Sequence, residues 1–153
     1  MAKTTCGFSD IPGGASGSDM LTAYGPTLLV NIGFDPAYNP SVPTIPQLVG
    51  NGIFALVDTG ASQSCIDSLL AAQLGLPVVD KITISGVSGG QEVNMHLAQV
   101  YVPALQWTIY GLFAGVHLAA GGQAHKALIG RTFLQNFTMV YEGKTGNVTI
   151  SSD

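Results

Sequence analysis

Among the residues able to do chemistry, one aspartate stands in an unusual frame. Asp58 ends the apolar run GIFALV and opens a Thr-Gly-Ala-Ser turn, so ALVDTGAS sets an acid at the end of a buried strand. A second candidate is GVSGG at residues 86 to 90, which has the Gly-x-Ser-x-Gly form of a nucleophile elbow. It would make Ser88 a nucleophile with His96, His117 or His125 as its base. An elbow sits between a strand and a helix, whereas Ser88 is followed by the alternating pattern EVNMHLAQVYV, which reads as a strand. The histidines lack His-Glu-x-x-His spacing, and Cys6 and Cys65 are too few and too far apart for a zinc site or a disulfide framework. No metal is expected, and both thiols are expected to be free.

The string ALVDTGAS resembles the active-site motif of aspartic proteases, and ALIGRTFL, residues 127 to 134, resembles the second apolar-apolar-Gly element of the same fold. The order of features is similar to that of the retropepsins, the single-lobe retroviral-type family, and of their cellular relatives. Asp-Thr-Gly follows an early strand, a glycine-tipped hairpin comes next, and a Leu-Ile-Gly-Arg segment runs into a helix. The resemblance covers residues 26 to 150. It implies a mostly β, single-lobe acid-protease fold: a closed β-barrel with one or two short helices, working as a two-fold homodimer.

The resemblance also implies roles for individual residues. Asp58 would be catalytic, Thr59 would reach across the two-fold axis to the partner's backbone, and Gly60 would permit the tight turn. Ala61 and Ser62 would touch substrate, with Ser62 also bracing the carboxylate. The flap, read as residues 85 to 91, would contribute Ser85, Gly86, Val87, Ser88 and Gly89. Leu128, Ile129 and Gly130 would pack behind the catalytic loop, and Arg131 would secure it. The chain departs from the viral pattern where acidic residues commonly follow these motifs, carrying Ser62-Gln63 and Thr132 instead.

Such chemistry needs two carboxyl groups about 3 Å apart, which share one proton because like charges that close cannot both ionise. Of the seven aspartates, only Asp58 is followed by Thr-Gly, so a monomer cannot build the pair. The expected partners are therefore a second copy of the chain and a peptide or protein substrate. The reaction is peptide-bond hydrolysis by water, with no cofactor. The competing expectation is a catalytically silent dimerisation or peptide-binding module of the same fold. Against it, a binding cleft has no need for Asp58, Thr59 and Gly60 together.

The elements that must position these residues follow from pattern. PTLLVNIGF (residues 26 to 34) predicts a strand, and the four prolines between residues 35 and 52 predict an exposed loop. Ile66, Leu69, Leu70 and Leu74, followed by Gly75 and Pro77, predict a short helix over residues 64 to 74. Residues 81 to 103 predict a long β-hairpin with its tip at residues 86 to 90. WTIYGLFAGV predicts another strand or two, and residues 137 to 150 predict a closing hairpin.

The 153 residues suit one domain at 25 to 153, preceded by a flexible Gly/Ser-rich leader at 1 to 24. The net charge of −4 arises from few charges with no basic cluster, so neither nucleic acid nor an anionic membrane is an expected partner. The longest apolar stretch, residues 110 to 120, is too short and too interrupted to span a bilayer. The start of the chain does not resemble a secretory signal, and a cytoplasmic or otherwise intracellular location is expected.

Overall fold

The computed structural model describes residues 2–86 and 89–153. Its strands are Lys3–Thr5 (β1), Thr27–Gly33 (β2), Gly50–Val57 (β3), Cys65–Asp67 (β4), Val78–Gly86 (β5), Gly89–Val102 (β6), Trp107–Val116 (β7), Ala127–Ile129 (β8), Thr138–Glu142 (β9) and Asn147–Ser151 (β10). Gly17–Tyr24 (α1), Ser68–Gln73 (α2) and Arg131–Leu134 (α3) are helical, and Pro103–Leu105 forms one 3-10 turn. The chain is mostly β, as its Val, Ile, Thr and Tyr content predicts.

Alternation makes the barrel. In β2, Leu28, Val30 and Ile32 turn into the core while Leu29 turns out. The first part of β2 pairs with β3 and its last residues pair with β6, across a register shift between Val30 and Ile32. That irregularity lets one strand bend and serve two neighbours. The pairings β2-β3-β8-β4-β7-β6, returning to β2, close a six-stranded barrel, and β5 hangs outside it on β6. Val57, Ile66, Val100, Phe113, Ile129 and Phe133 are among the side chains that fill the interior.

A separate three-stranded sheet, β1-β10-β9, packs Val148 and Ile150 into the same core. Here the structure departs from expectation. Residues 1 to 24, read as a flexible leader, instead supply β1, antiparallel to β10, and α1. Cys6 and Leu21 are buried in the main core. Ser16 caps α1 by accepting a hydrogen bond from Asp19 N at 3.0 Å. Gly17 shows why the small residues are there. A Cβ on it would stand 2.5 Å from Phe8 O and 2.7 Å from Thr145 O, so glycine here serves close approach of backbones, not freedom. Among the described residues there are also three short α-helices where one or two were expected, α1 being the addition. No helix among the described residues is long and apolar enough to cross a membrane.

Candidate active site

Asp58 is half-buried immediately beyond the end of β3, where β8 is inserted between β3 and β4. β8 lies between β3 and β4, parallel to the first and antiparallel to the second. Its last residue, Ile129, pairs with Val57, and its carbonyl accepts the Asp58 N–H at 2.8 Å. The acid therefore stands where β3 leaves the sheet, held by a strand some 70 residues away in sequence.

The loop beyond Asp58 is bound on both sides. Gly60 N–H donates to Asp58 Oδ1 at 2.9 Å, and Ala61 N–H donates to Asp58 O at 3.3 Å. Among the described residues Asp58 Oδ2 accepts no hydrogen bond. A carboxylate so placed has one oxygen steadied by its own loop and the other turned to whatever enters the site.

The start of α3 supports this loop. Arg131 N donates to Ala61 O at 2.9 Å, Thr132 N donates to Ser62 O at 3.0 Å, and Arg131 Nη1 donates to Thr59 O at 2.7 Å. No carboxylate pairs with Arg131 among the described residues. With Ser62-Gln63 in place of acids, its guanidinium turns to a backbone carbonyl. Gly130 makes the approach possible, because a Cβ there would meet Gln63 O at 2.7 Å and Ala61 O at 2.9 Å. Leu128 is half-buried and pairs with both Leu56 and Cys65 across the two flanking strands.

Other predicted residues fall as follows. Thr59 is exposed, and its hydroxyl forms no hydrogen bond among the described residues. Ala61 is half-buried, with its carbonyl engaged by Arg131. Ser62 is exposed and joins the network through its carbonyl, while its hydroxyl does not reach Asp58; the bracing group is the Gly60 N–H. β5 and β6 pair down to Gly86 opposite Gly89, with Ser85 opposite Gly90. Val87 and Ser88 lie outside the described residues. The elbow reading loses its context in any case, since the segments on both sides of Ser88 are strands of one antiparallel hairpin.

Three neighbours of the site escaped sequence reasoning. Ser64 is buried, and its hydroxyl accepts the Gly130 N–H at 3.1 Å. Asp67 is only 2% exposed, and its carboxylate accepts from Leu70 N, Leu118 N and Ala119 N at 3.2, 3.0 and 3.0 Å. It caps α2 and ties down the turn after β7, and the Asp-Ser-Leu-Leu pattern was the available signal for a helix start there rather than at Ser64. Cys65 sits near enough to Asp58 that its thiol is pushed up, first by burial and then by that negative charge. Cys65 packs with Ile84, Val93, Met95, Ala114 and Val116. Beside that cluster, a cavity of about 320 Å³ opens between the hairpin residues Ile84, Gly89, Gly90 and Gln91 and the barrel residues Val116 and His117.

The three histidines are spent separately: His96 on Leu76 O, His117 on Ser68 and His125 on Thr27 Oγ1 at 2.7 Å. His125 is buried, and that burial holds its pKa below the ordinary value of 6.5. The unfolded chain therefore takes up a proton that the folded chain refuses. The resulting stability is complete above about pH 6.5 and is eroded as the pH falls from there through the lowered folded-state value. In thermal melts at neutral and mildly acidic pH, His125→Gln is expected to lose less stability on acidification than the wild type. Equal losses would show that His125 contributes nothing to acid sensitivity.

A family model described as "gag-polyprotein putative aspartyl protease" matches residues 47–136, which take in the Asp58 loop, the β5–β6 hairpin and the β8–α3 support. No curated protein matches the chain. Among solved structures, the chain is similar to the EIAV protease complexed with the inhibitor HBY-793, at 20% identity and a TM-score of 0.44, over 72% of this chain and 85% of that one. The family match spans more than half of the 153 residues and encloses Asp58 and both segments that hold it, and the chain accordingly belongs to the gag-polyprotein, retropepsin-like family of aspartyl proteases.

Proposed function

We propose that the chain is an aspartic endopeptidase whose working form is a two-fold homodimer, each copy contributing Asp58 to one shared carboxylate pair. The observation that carries this reading is the half-made site. One copy holds a single Asp-Thr-Gly, its Asp58 Oδ1 is braced by Gly60, and its Oδ2 is left for another group. Thr59, exposed and with its hydroxyl unbonded within the described chain, stands ready to reach the partner's backbone.

In the pair, the ionised carboxylate takes a proton from water as the water oxygen attacks the peptide carbonyl carbon. The protonated carboxyl group gives its proton to the carbonyl oxygen. The tetrahedral diol then collapses, the C–N bond breaks, and a proton passes to the leaving amine. The substrate lies extended beneath the β5–β6 hairpin, which acts as a flap, and is bound by strand addition. Ala61, Ser62, Ser85, Gly86 and Gly89 supply contacts.

Cleavage of a diverse peptide library, measured across pH alongside sedimentation, tests the reading. The expected result is a dimer whose activity is highest at acidic to mildly acidic pH, because the singly protonated pair is the working form. A profile that stays flat into strongly alkaline pH would rule out a carboxylate pair. A dimer that cleaves nothing would favour the binding module.

A further inference from the structure

The segment between β2 and β3, residues 34–49, is rich in proline yet firmly held. The Asp35 carboxylate ties its two ends together, accepting from Ala37 N at 3.0 Å and from Gln47 N at 2.9 Å. Gln99, fully buried on β6, fixes Asp35 in turn. Its Oε1 accepts from Asp35 N at 2.7 Å and its Nε2 donates to Asp35 O at 3.1 Å. Pro46 is buried, and Tyr38 packs on Tyr110 of β7 with ring centroids 5.6 Å apart. None of these contacts serves Asp58. Thr108, which pairs with Tyr101, and Ala114, which pairs with Cys65 beside the candidate active site, both lie on β7 and are about 20 Å apart.

Held in this way, the loop leaves a cavity of about 520 Å³ between its own Pro40, Pro43 and Ile45 and the barrel residues Tyr101, Trp107 and Thr108. Tyr38, Tyr101 and Trp107 give it three aromatic walls, and no charged residue lines it. Tyr101 is only 9% exposed. Among the described residues the hydroxyls of Tyr38 and Tyr101 and the indole N–H of Trp107 have no hydrogen-bond partner. None of the three is sealed from solvent, so each meets the open cavity that it lines. A tyrosine so nearly buried ordinarily finds a partner for its hydroxyl. Trp107 is fixed edge-on against Phe137 at 5.1 Å, so this wall is in place before any ligand arrives.

We infer that this groove binds a proline-rich segment in the polyproline II conformation, at a site separate from the catalytic cleft. Proline has no N–H, and polyproline II makes no internal hydrogen bonds. Such a segment therefore presents carbonyl acceptors and apolar rings, and asks the site only for donors and flat apolar surface. Tyr38, Tyr101 and Trp107 supply both, and a preformed polyproline helix gives up little entropy on docking. A sugar, the other ligand that stacks on aromatic rings, also needs acceptors for its hydroxyls. The lining offers it no carboxylate and a single amide, Gln106. The inference does not depend on a shared Asp58 pair, since a protease and a binding module could both use such a site to hold a partner.

Trp107 is the single tryptophan of the chain, so its fluorescence reports on this groove directly. The full chain is titrated with an oligoproline of about ten residues, with a Gly-Ser peptide of equal length, and with cellohexaose. The oligoproline is expected to give a saturable change in emission below about 1 mM, and the other two none. Tyr101→Phe, which removes one hydroxyl and keeps the ring, should weaken that binding about 2- to 10-fold, the worth of one hydrogen bond. Tyr38→Ala should weaken it further, with circular dichroism verifying the fold of both variants. Oligoproline binding that neither variant alters, a response to cellohexaose instead, or no saturable change with any of the three overturns the inference. None of these outcomes bears on Asp58, whose role is read separately from cleavage.

Discussion

Asp58→Asn is expected to give a folded dimer without measurable cleavage. The side-chain amide keeps an oxygen that can accept the Gly60 N–H, so the loop geometry, with Arg131 on Thr59 O and Ile129 O on the residue 58 N–H, is retained. What is lost is the group that exchanges a proton. General acid–base catalysis alone contributes about 10²–10⁴-fold, and in a homodimer one substitution removes both carboxylates, so the fall in kcat/KM should reach at least that range. Mixing gives a sharper form of the experiment. If the pair is shared between copies, subunits exchanged at equal amounts of wild type and Asp58→Asn should leave about one quarter of the dimers with both carboxylates. Activity should then fall as the square of the wild-type fraction. A linear fall would mean that each Asp58 works alone, and the shared pair would be wrong.

Gly130→Ala is expected to damage stability and activity together. The backbone at Gly130 has φ −96°, which alanine adopts without strain, so the effect is purely one of space. The added methyl would stand 2.7 Å from Gln63 O and 2.9 Å from Ala61 O, and both are backbone atoms of the loop after Asp58 that cannot rotate aside. Relief requires the 61–63 segment to move away from 130–132. That motion weakens the bonds from Gly130 N to Ser64 Oγ, from Arg131 N to Ala61 O and from Thr132 N to Ser62 O. Overpacking costs about 1–3 kcal/mol, and each weakened hydrogen bond up to about 1 kcal/mol more. For a domain of this length each kcal/mol lowers the melting temperature by about 2–4 °C. Calorimetry should show that loss, and kcat/KM should fall further than the folded fraction does, because the displaced 61–63 segment continues directly from the loop that holds Asp58. An unchanged melting temperature with full activity would mean that the crossing is looser than its distances indicate.

Much of the architecture was legible because it depends on short-range pattern. Alternation in PTLLVNIGF set the inward and outward faces of β2, the apolar run before Asp-Thr-Gly marked where β3 would end, and the glycine-tipped alternation marked the β5–β6 hairpin. The helix begins at Ser68 and not at residue 64, because Asp67 caps it through Leu70 N and residues 65–67 pair as β4, while the apolar spacing alone marked no start. The leader was misread for a physical reason: small residues chosen for flexibility and small residues chosen for contact are the same residues. Gly17 is close-packed against Phe8 and Thr145, the latter far along the chain, and a single sequence carries no mark of that contact.

The sequence by itself therefore determined the family, the barrel class and the place of the single Asp-Thr-Gly at the end of a strand, since each rests on residues adjacent in the chain or alternating along a strand. Only the tertiary structure decided how that acid is held. The support comes from Gly130 and Arg131 on a strand threaded between β3 and β4, from Ser64 and Asp67 buried with backbone partners far along the chain, and from an amino-terminal segment paired with β10. A buried polar group must find a partner wherever the fold supplies one. Those partners are chosen by closure of the barrel, not by distance along the chain.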